Sequence, residues 1–189
     1  MDPILNYING EYVKPSSNDY IDVIDPAIGE KYTVVANSDK NDIDKAVYAA
    51  EESFLGWSAL SIMDRSNFLT QIANEIEKNL DEFAYLETKD TGKPISLSKK
   101  IDIPRAIANF RFFAEHAKSF HFESKIHDEN SSNVIARFPL GVVGCISPWN
   151  LPLYLFTWKI APAIITGNTV IAKPSEISPL TAHKLGQIL

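Results

Sequence analysis

The sequence predicts an α/β fold built on a parallel sheet, and three features of its last third carry that prediction. Residues 141–147, GVVGCIS, form a short, continuous apolar run, as expected of a strand buried on both faces. The apolar segment 151–167 follows and has the length of a buried helix. A second strand-like run, TVIAKP, occupies residues 169–174. This β-α-β order implies parallel strands joined by a right-handed crossover.

The N-terminal part predicts two β-hairpins. Asn9-Gly10 is a favoured two-residue hairpin turn, and it lies between short strand-like flanks. The segment DPAIGE at residues 25–30 predicts a second turn, with strands YIDVID before it and KYTVVAN after it.

Three amphipathic helices are predicted next. The first starts near residue 41, where Asp39 or Asn41 could cap it. Its apolar residues recur at intervals of three and four: Ile43, Ala46, Val47, Ala50 and Phe54. One continuous helix is predicted for residues 64–89, ended by Gly92 and Pro94. A third is predicted for residues 102–118, with a proline in its first turn.

The remaining elements are a third hairpin and a last helix. Residues 122–138 read FESKIH, then the polar turn DENSSN, then VIARF. The last helix is expected to begin at Ser178, and the chain is expected to end inside it at Leu189, without a capping glycine or a following strand. We therefore expect a truncated sheet.

Composition narrows the class of protein. The 189 residues are 45% hydrophobic, which is enough for a substantial core, and suit one domain or a large piece of one. The net charge of −6 argues against a nucleic-acid partner. The single cysteine, Cys145, excludes an internal disulfide framework. Because the N-terminus shows no secretory signal pattern, a cytoplasmic location is the default expectation.

A membrane span is not expected, although residues 138–158 carry no charge. That length could cross a bilayer. Pro139, Pro148 and Pro152 would break the segment and leave backbone polar groups facing lipid.

Polar residues follow both strands of the predicted β-α-β unit. Residues 147–150, SPWN, leave the first strand, and residues 173–176, KPSE, leave the second. Ligands of open parallel sheets bind at the carboxyl ends of the strands. In dinucleotide-binding folds an acidic residue near the second strand holds the adenosine ribose, so Glu176 fits that role and Lys173 can donate to the same sugar.

These motifs resemble the aldehyde dehydrogenase superfamily. The resemblance rests on PWN, WKIAPA, GNT and KPSE in order, and it extends upstream through INGEYV, DPAIGE and ETKDTGKP. It implies a Rossmann-like cofactor domain, here residues 1–121 and 140–189 with N-terminal hairpins and helices. Residues 122–139 would be a bridging hairpin between subunits of a homo-oligomer, a dimer or tetramer in the complete enzyme.

The resemblance also implies the chemistry, which is oxidation of an aldehyde to an acid with NAD or NADP through a cysteine thioester. Asn150 matches the oxyanion-hole asparagine, and Lys159 matches a lysine assigned to a proton relay in some members. The matching cofactor-binding residues are Ile146, Ser147, Pro148 and Trp149 on the nicotinamide side and Lys173, Pro174, Ser175 and Glu176 on the adenosine side. Charge repulsion between Glu176 and a 2′-phosphate favours NAD, while NADP stays open.

The family's nucleophilic cysteine, general-base glutamate and glycine-rich loop are expected beyond Leu189. Cys145 cannot replace the nucleophile, because it falls in the predicted buried strand. The catalytic domain is therefore expected to be absent, and this chain alone inactive.

The segments IPRAIANFRFFAEHA and SPWNLPLYLFTWKIAPA look most like the 2-aminomuconic and 2-hydroxymuconic semialdehyde dehydrogenases. Their substrates carry a carboxylate, which an arginine can bind through two parallel donors. Arg105 matches the IPR of that branch and is the candidate substrate-binding residue. A helix-surface pair between Arg105 and Asp102 is the alternative.

Plainer interpretations stay open for the other site residues. Asn150 could cap a helix beginning at Leu151. Lys159 could simply reach solvent. Lys173 and Glu176 could form a surface salt bridge of little energetic value. The histidines show no metal-ligand spacing, so no metal site is predicted and surface positions are expected: His116, His121, His127 and His183.

A different class of function also stays open. The chain could be a non-catalytic module that binds nucleotide weakly or pairs with full-length subunits through its third hairpin.

Overall fold

The computed structural model describes residues 1–128 and 130–189. Strands β1 (Asn6–Ile8) and β2 (Glu11–Val13) pair antiparallel. Their turn holds Asn9 at φ 52° and Gly10 at φ 80°. Positive φ at both central residues is what a tight hairpin turn of this twist requires, and the Asn-Gly prediction is confirmed. Strands β3 (Tyr20–Asp25) and β4 (Glu30–Ala36) form the second predicted hairpin.

Helix α1 (Lys40–Ser58) starts from a capping box. The Asp39 carboxylate accepts from the backbone of Asn41 and Asp42, and the Asp42 carboxylate accepts from Asp39 N in return. Of the two predicted caps, Asp39 is the one used.

The predicted single helix over residues 64–89 is two helices, so that prediction is wrong. Helix α2 (Ile62–Lys78) stops at Asn79, which has ψ 21°, and α3 (Leu80–Thr91) begins directly after it. The Asn79 side-chain amide donates to Glu75 O at 2.8 Å, which satisfies a terminal carbonyl of α2. Both helices contribute to one core, so the apolar spacing runs on across the break. Gly92, at φ 70°, ends α3 as predicted.

The third helix is preceded by irregular helical turns. Helix α4 (Ile95–Leu97) leads into a π-helical segment, Ser98–Asp102, and α5 (Ile103–Ser119) follows. The predicted proline lies within the first turn of α5. Helices α2, α5 and α6 (Pro152–Ile165) pack together around buried Leu69, Phe110 and Leu153.

The β-α-β unit is confirmed. Strands β7 (Val142–Ile146) and β8 (Thr169–Lys173) are parallel and joined by α6, with Val142 opposite Thr169 and Ile146 opposite Lys173. Strands β5 (Glu123–His127) and β6 (Ser132–Ala136) form the third hairpin. Within the described ranges, no helix is both long and apolar enough to cross a membrane.

The last helix, α7, covers Leu180–Leu185. It starts two residues later than predicted, and Gly186 is its C-cap. The expectation that the chain ends inside this helix without a glycine is therefore wrong.

Candidate cofactor and substrate site

The two polar loops that follow β7 and β8 leave the same edge of the strand pair. Ile146 and Lys173 are register partners at the carboxyl ends of their strands. Ser147 N donates to Lys173 O at 3.0 Å, which extends the ladder by one bond. Ser178 Oγ donates to Trp149 O at 3.4 Å. These two contacts tie residues 147–150 and 173–178 into one polar rim.

The first half of the rim exposes apolar and amide surface around one buried hydroxyl. Ile146 is 73% exposed and Trp149 59% exposed. Pro148 is also exposed, whereas Ser147 is buried. The Ser147 Oγ atom has no hydrogen-bond partner within the described residues. Buried hydroxyls are normally satisfied by a partner, so this group suits a site that receives a polar ligand or water.

Asn150 is exposed on this loop. Helix α6 has Leu151 at its N-cap position and no side-chain cap, so the interpretation of Asn150 as the helix cap is wrong. Within the described residues the Asn150 amide is not engaged by another side chain.

The second half of the rim carries an ion pair. Lys173 Nζ lies 2.7 Å from Glu176 Oε2, with side chains 57% and 49% exposed. The hydrogen bond from Lys173 lowers the pKa of the Glu176 carboxyl. The surface salt bridge between Lys173 and Glu176, expected as the plainer interpretation of these residues, is therefore present. Ser175 between them is buried, and Pro174 is half-buried.

Arg105 does not pair with Asp102, so that alternative is wrong. Asp102 is buried and accepts from Lys93 Nζ at 2.7 Å. The Arg105 guanidinium instead lies 4.2 Å from the ring centroid of Tyr154, and its Nη2 donates to the Tyr154 hydroxyl at 3.3 Å. This contact joins α5 to the first turns of α6, close along the chain to Asn150.

Lys159 and Cys145 differ in their access to solvent. Lys159 is exposed on α6. Cys145 is buried in β7, and burial raises the pKa of its thiol despite the charge of Lys159. A thiol with a raised pKa is a poor nucleophile, which agrees with an inert, structural cysteine.

Comparison with known proteins identifies the chain's relatives. The profile of the aldehyde dehydrogenase family matches residues 12–189. This chain belongs to the aldehyde dehydrogenase family. It is 49% identical over 187 residues to human 2-aminomuconic semialdehyde dehydrogenase, covering 97% of this chain and 38% of the relative. It is 42% identical to 2-hydroxymuconic semialdehyde dehydrogenase of Pseudomonas sp. strain CF600, covering 100% of this chain and 40% of the relative.

A solved structure gives the same result for the fold. The NAD⁺ complex of an aldehyde dehydrogenase from Bacillus cereus superposes with a TM-score of 0.93 at 32% identity, covering 98% of this chain and 38% of that one. The predicted α/β fold is confirmed. The chain spans about two fifths of the length of the curated relatives it matches.

A buried charged cluster that contacts α6 and α7 was not predicted from the sequence of this aldehyde dehydrogenase chain. Glu87 and Asp90 of α3 and Asp102 of the π-helical segment are buried, and Lys93 lies between Glu87 and Asp102. Burial raises the pKa of Glu87, and burial raises the pKa of Asp90 to about 7. The signal was the density of charge in ETKDTGKP at a helix end, which earlier contributed only to the family resemblance.

One histidine also departs from expectation. His183 is half-buried, with its ring 4.4 Å from the ring of Tyr12, and burial lowers its pKa. The prediction of a surface position is wrong for His183. Among residues 1–128 and 130–189, no group of three His, Cys, Asp or Glu side chains could hold a metal ion.

Proposed function

We propose that this chain forms the cofactor-binding and oxyanion-stabilising part of an enzyme that oxidises a carboxylated semialdehyde to the acid. The observation that carries the proposal is the joining of the SPWN and KPSE loops at one sheet edge by the bonds from Ser147 N and Ser178 Oγ. Cofactors of open parallel sheets bind at such an edge. The names of the relatives, which are semialdehyde dehydrogenases, support the substrate class.

The residues of the rim suit a dinucleotide. Ile146, Ser147, Pro148 and Trp149 would contact the nicotinamide side, and Lys173, Pro174, Ser175 and Glu176 the adenosine side. Glu176 can accept from the ribose hydroxyls while Lys173 donates to them. The Glu176 carboxylate would repel a 2′-phosphate, so we propose NAD in preference to NADP. The cofactor, when bound, supplies the hydride acceptor.

Asn150 is the proposed oxyanion donor. When a thiolate attacks an aldehyde carbonyl, the oxygen becomes negatively charged. An amide N–H aimed at that oxygen stabilises the transition state more than the ground state, and so accelerates the reaction. The exposed Asn150 amide, with no side-chain partner in the described residues, is available for this role. Lys159, exposed two turns further along α6, is the proposed proton-relay residue.

Arg105 is the proposed anchor for the substrate carboxylate. Its guanidinium rests on the Tyr154 ring with one nitrogen on the hydroxyl, which restricts the side chain while leaving other N–H groups available. A planar guanidinium held in this way can bind a carboxylate through two parallel donors.

The test is a pair of substitutions on α5 in the native protein. Arg105→Ala is expected to raise KM for 2-hydroxymuconic semialdehyde about tenfold or more, with little effect on KM for propionaldehyde, because a lost charge-assisted pair typically costs ~1.5–3 kcal/mol. Arg111→Ala is the matched control, since Arg111 is an exposed arginine on the same helix and pairs with Glu77 at 2.6 Å. Equal losses for both aldehydes would refute the anchor.

We also propose that residues 122–139 join copies of a cytoplasmic homo-oligomer. Strands β5 and β6 pair with each other within the described residues, and Ile126, Val134 and Ile135 of this hairpin are exposed. Exposed apolar side chains on a strand edge favour association. Replacing Ile126 with lysine should shift the native protein to a smaller species in light scattering. An unchanged mass would refute this assignment.

A further inference from the structure

A half-buried lysine lies between two buried carboxylates. Lys93 Nζ is 2.7 Å from Asp102 Oδ2 and 3.3 Å from Glu87 Oε1. The Lys93 side chain is only 12% exposed, and both carboxylates are almost fully buried. Carboxylates so enclosed are stable only when their charge is compensated and their oxygens are hydrogen-bonded. Lys93 is therefore the group that lets both acids occupy these positions.

The first carboxylate reaches the helix that follows Asn150. Glu87 Oε2 accepts from Leu153 N at 3.4 Å. Leu153 lies in the first turn of α6, three residues after Asn150, and α6 has no side-chain cap of its own. A carboxylate at the start of a helix satisfies a backbone donor and interacts favourably with the helix dipole. Glu87 thus satisfies a backbone N–H group at the start of α6, which no side chain of the SPWN loop caps.

The second carboxylate fixes the start of the helix that carries Arg105. Asp102 ends the π-helical segment, and Arg105 follows one turn later on α5. The Asp102 side chain makes no capping bond to α5 and is directed to Lys93 instead. π-Helical turns are frequent at functional sites, where they alter the direction in which side chains project.

Helices α5 and α6 are also joined directly. The Asn109 amide donates to Tyr154 O at 3.0 Å and to Thr157 Oγ1 at 2.9 Å. Tyr154 in turn supports the Arg105 guanidinium. These contacts join the N-terminal halves of α5 and α6, and the Lys93 cluster contacts the N-terminal ends of both helices, where the proposed oxyanion donor and the proposed carboxylate anchor lie.

We infer that Lys93 is a positioning residue for the substrate site, holding the Asn150 loop through Glu87 and the Arg105 turn through Asp102. This inference rests on the proposed function for its kinetic consequences. Within the described residues no hydrogen bond or salt bridge joins Lys93 to Asn150 or Arg105, so Lys93 acts through the two carboxylates.

Conservative substitutions in the native protein separate the effect of Glu87 on α6 from the effect of Asp102 on α5. Glu87→Gln should lower kcat about tenfold for both 2-hydroxymuconic semialdehyde and propionaldehyde, because a misplacement of about 1 Å can cost up to a hundredfold. Asp102→Asn should raise KM for the semialdehyde about tenfold and leave KM for propionaldehyde unchanged. Lys93→Met should show both effects, and Lys93→Arg should restore part of each.

Lys89→Met is the matched control. Lys89 lies on the same helix α3 and pairs with buried Asp25, but this pair joins α3 to β3 and reaches neither α5 nor α6. The control should lower the melting temperature while kcat and KM stay unchanged. If Lys93→Met changes the kinetic constants no more than Lys89→Met, or if Glu87→Gln and Asp102→Asn show no separation, the inference is overturned.

Amide hydrogen exchange provides a readout that does not depend on turnover. Exchange should accelerate at residues 151–155 in Glu87→Gln, at residues 102–106 in Asp102→Asn, and at neither segment in Lys89→Met. A native protein that oxidises no aldehyde refutes the proposed function, and the exchange data still decide the role of the cluster. Unchanged exchange in both segments would overturn it, even if Lys93→Met itself does not fold.

Discussion

In the described part of the chain, a lysine–carboxylate pair on the rim and a lysine–carboxylate cluster in the interior differ in their exposure to solvent. Lys173 and Glu176 meet on the exposed rim, whereas Lys93 meets Glu87 and Asp102 in the interior. The shortest N–O distance is 2.7 Å in each. The same shortest N–O distance therefore occurs in an exposed and in a buried environment.

The difference in solvent separates two roles for the same chemistry. At the rim, water and salt screen the pair, so that its charges can exchange partners with a ligand at little cost. In the interior, neither carboxylate can leave its lysine without becoming an uncompensated buried charge. The exposed pair is suited to recognition, and the buried cluster is suited to holding backbone in place.

The largest expected effect comes from breaking the buried cluster. Lys93→Met leaves two buried carboxylates without their counter-ion, and the free energy of unfolding should fall by about 3–5 kcal/mol. Urea denaturation of the native protein measures it. The triple variant Lys93→Met, Glu87→Gln, Asp102→Asn removes all three charges and should recover most of the loss. A loss below about 1 kcal/mol in the single variant would contradict burial of the charges.

The next effect concerns the rim and is kinetic. Asn150→Ala should lower kcat of the native protein about a hundred- to a thousandfold, as expected for the loss of one oxyanion donor. Because Asn150 is exposed and caps no helix, the unfolding free energy should change by less than about 0.5 kcal/mol. A large loss of stability with an intact kcat would reverse the roles given to the rim and the interior.

The pH dependence of stability gives a further test of the buried carboxylates in the interior. Asp90 is buried, accepts from the Tyr32 hydroxyl and from Leu180 N at 2.8 Å, and burial raises its pKa to about 7. A carboxyl with a raised pKa stabilises the fold most when protonated, and this contribution is lost as the pH rises through about 7. The stability of wild type relative to Asp90→Asn should therefore fall between pH 5 and pH 8, by roughly 1–3 kcal/mol.

The variant difference isolates Asp90 from the other titrating groups, among them Glu87, whose pKa burial also raises. His183, whose pKa burial lowers, contributes the opposite slope, and it is present in both proteins. Thermal melts at pH 5, 6, 7 and 8 give the comparison. Parallel stability curves for the two proteins would contradict a raised pKa at Asp90.

The smallest expected effect on stability is at the rim pair. Glu176→Gln should change the unfolding free energy by less than about 1 kcal/mol, since exposed ion pairs contribute little. The same substitution should weaken NAD binding and improve the ratio of NADP to NAD affinity, because it removes the charge that opposes a 2′-phosphate. Calorimetric titration with each nucleotide measures both. An unchanged ratio would exclude Glu176 from the adenosine site.

The sequence predicts the rim better than the interior, for a physical reason. Local signals define the rim: two apolar strand runs, with a helix-length apolar segment between them, place both polar loops at one edge. The buried cluster depends on contacts between distant residues. Glu87 and Leu153 are 66 residues apart, and no periodicity of one segment reports their meeting.

Two local errors have similar causes. The apolar stripe of α2 and α3 faces one core, so its period conceals the break at Asn79. The spacing of Asp102 and Arg105 favours a pair on a regular helix, but the π-helical segment places Asp102 against Lys93.

A crystal structure of the native protein with bound NAD tests the shared rim most directly. The nicotinamide is expected against residues 146–149, with the adenosine ribose hydroxyls hydrogen-bonded to Glu176 and Lys173. The Asn150 amide should face the same crevice. A dinucleotide bound elsewhere, or a ribose that contacts neither residue, would contradict the assignment of this edge as the cofactor site.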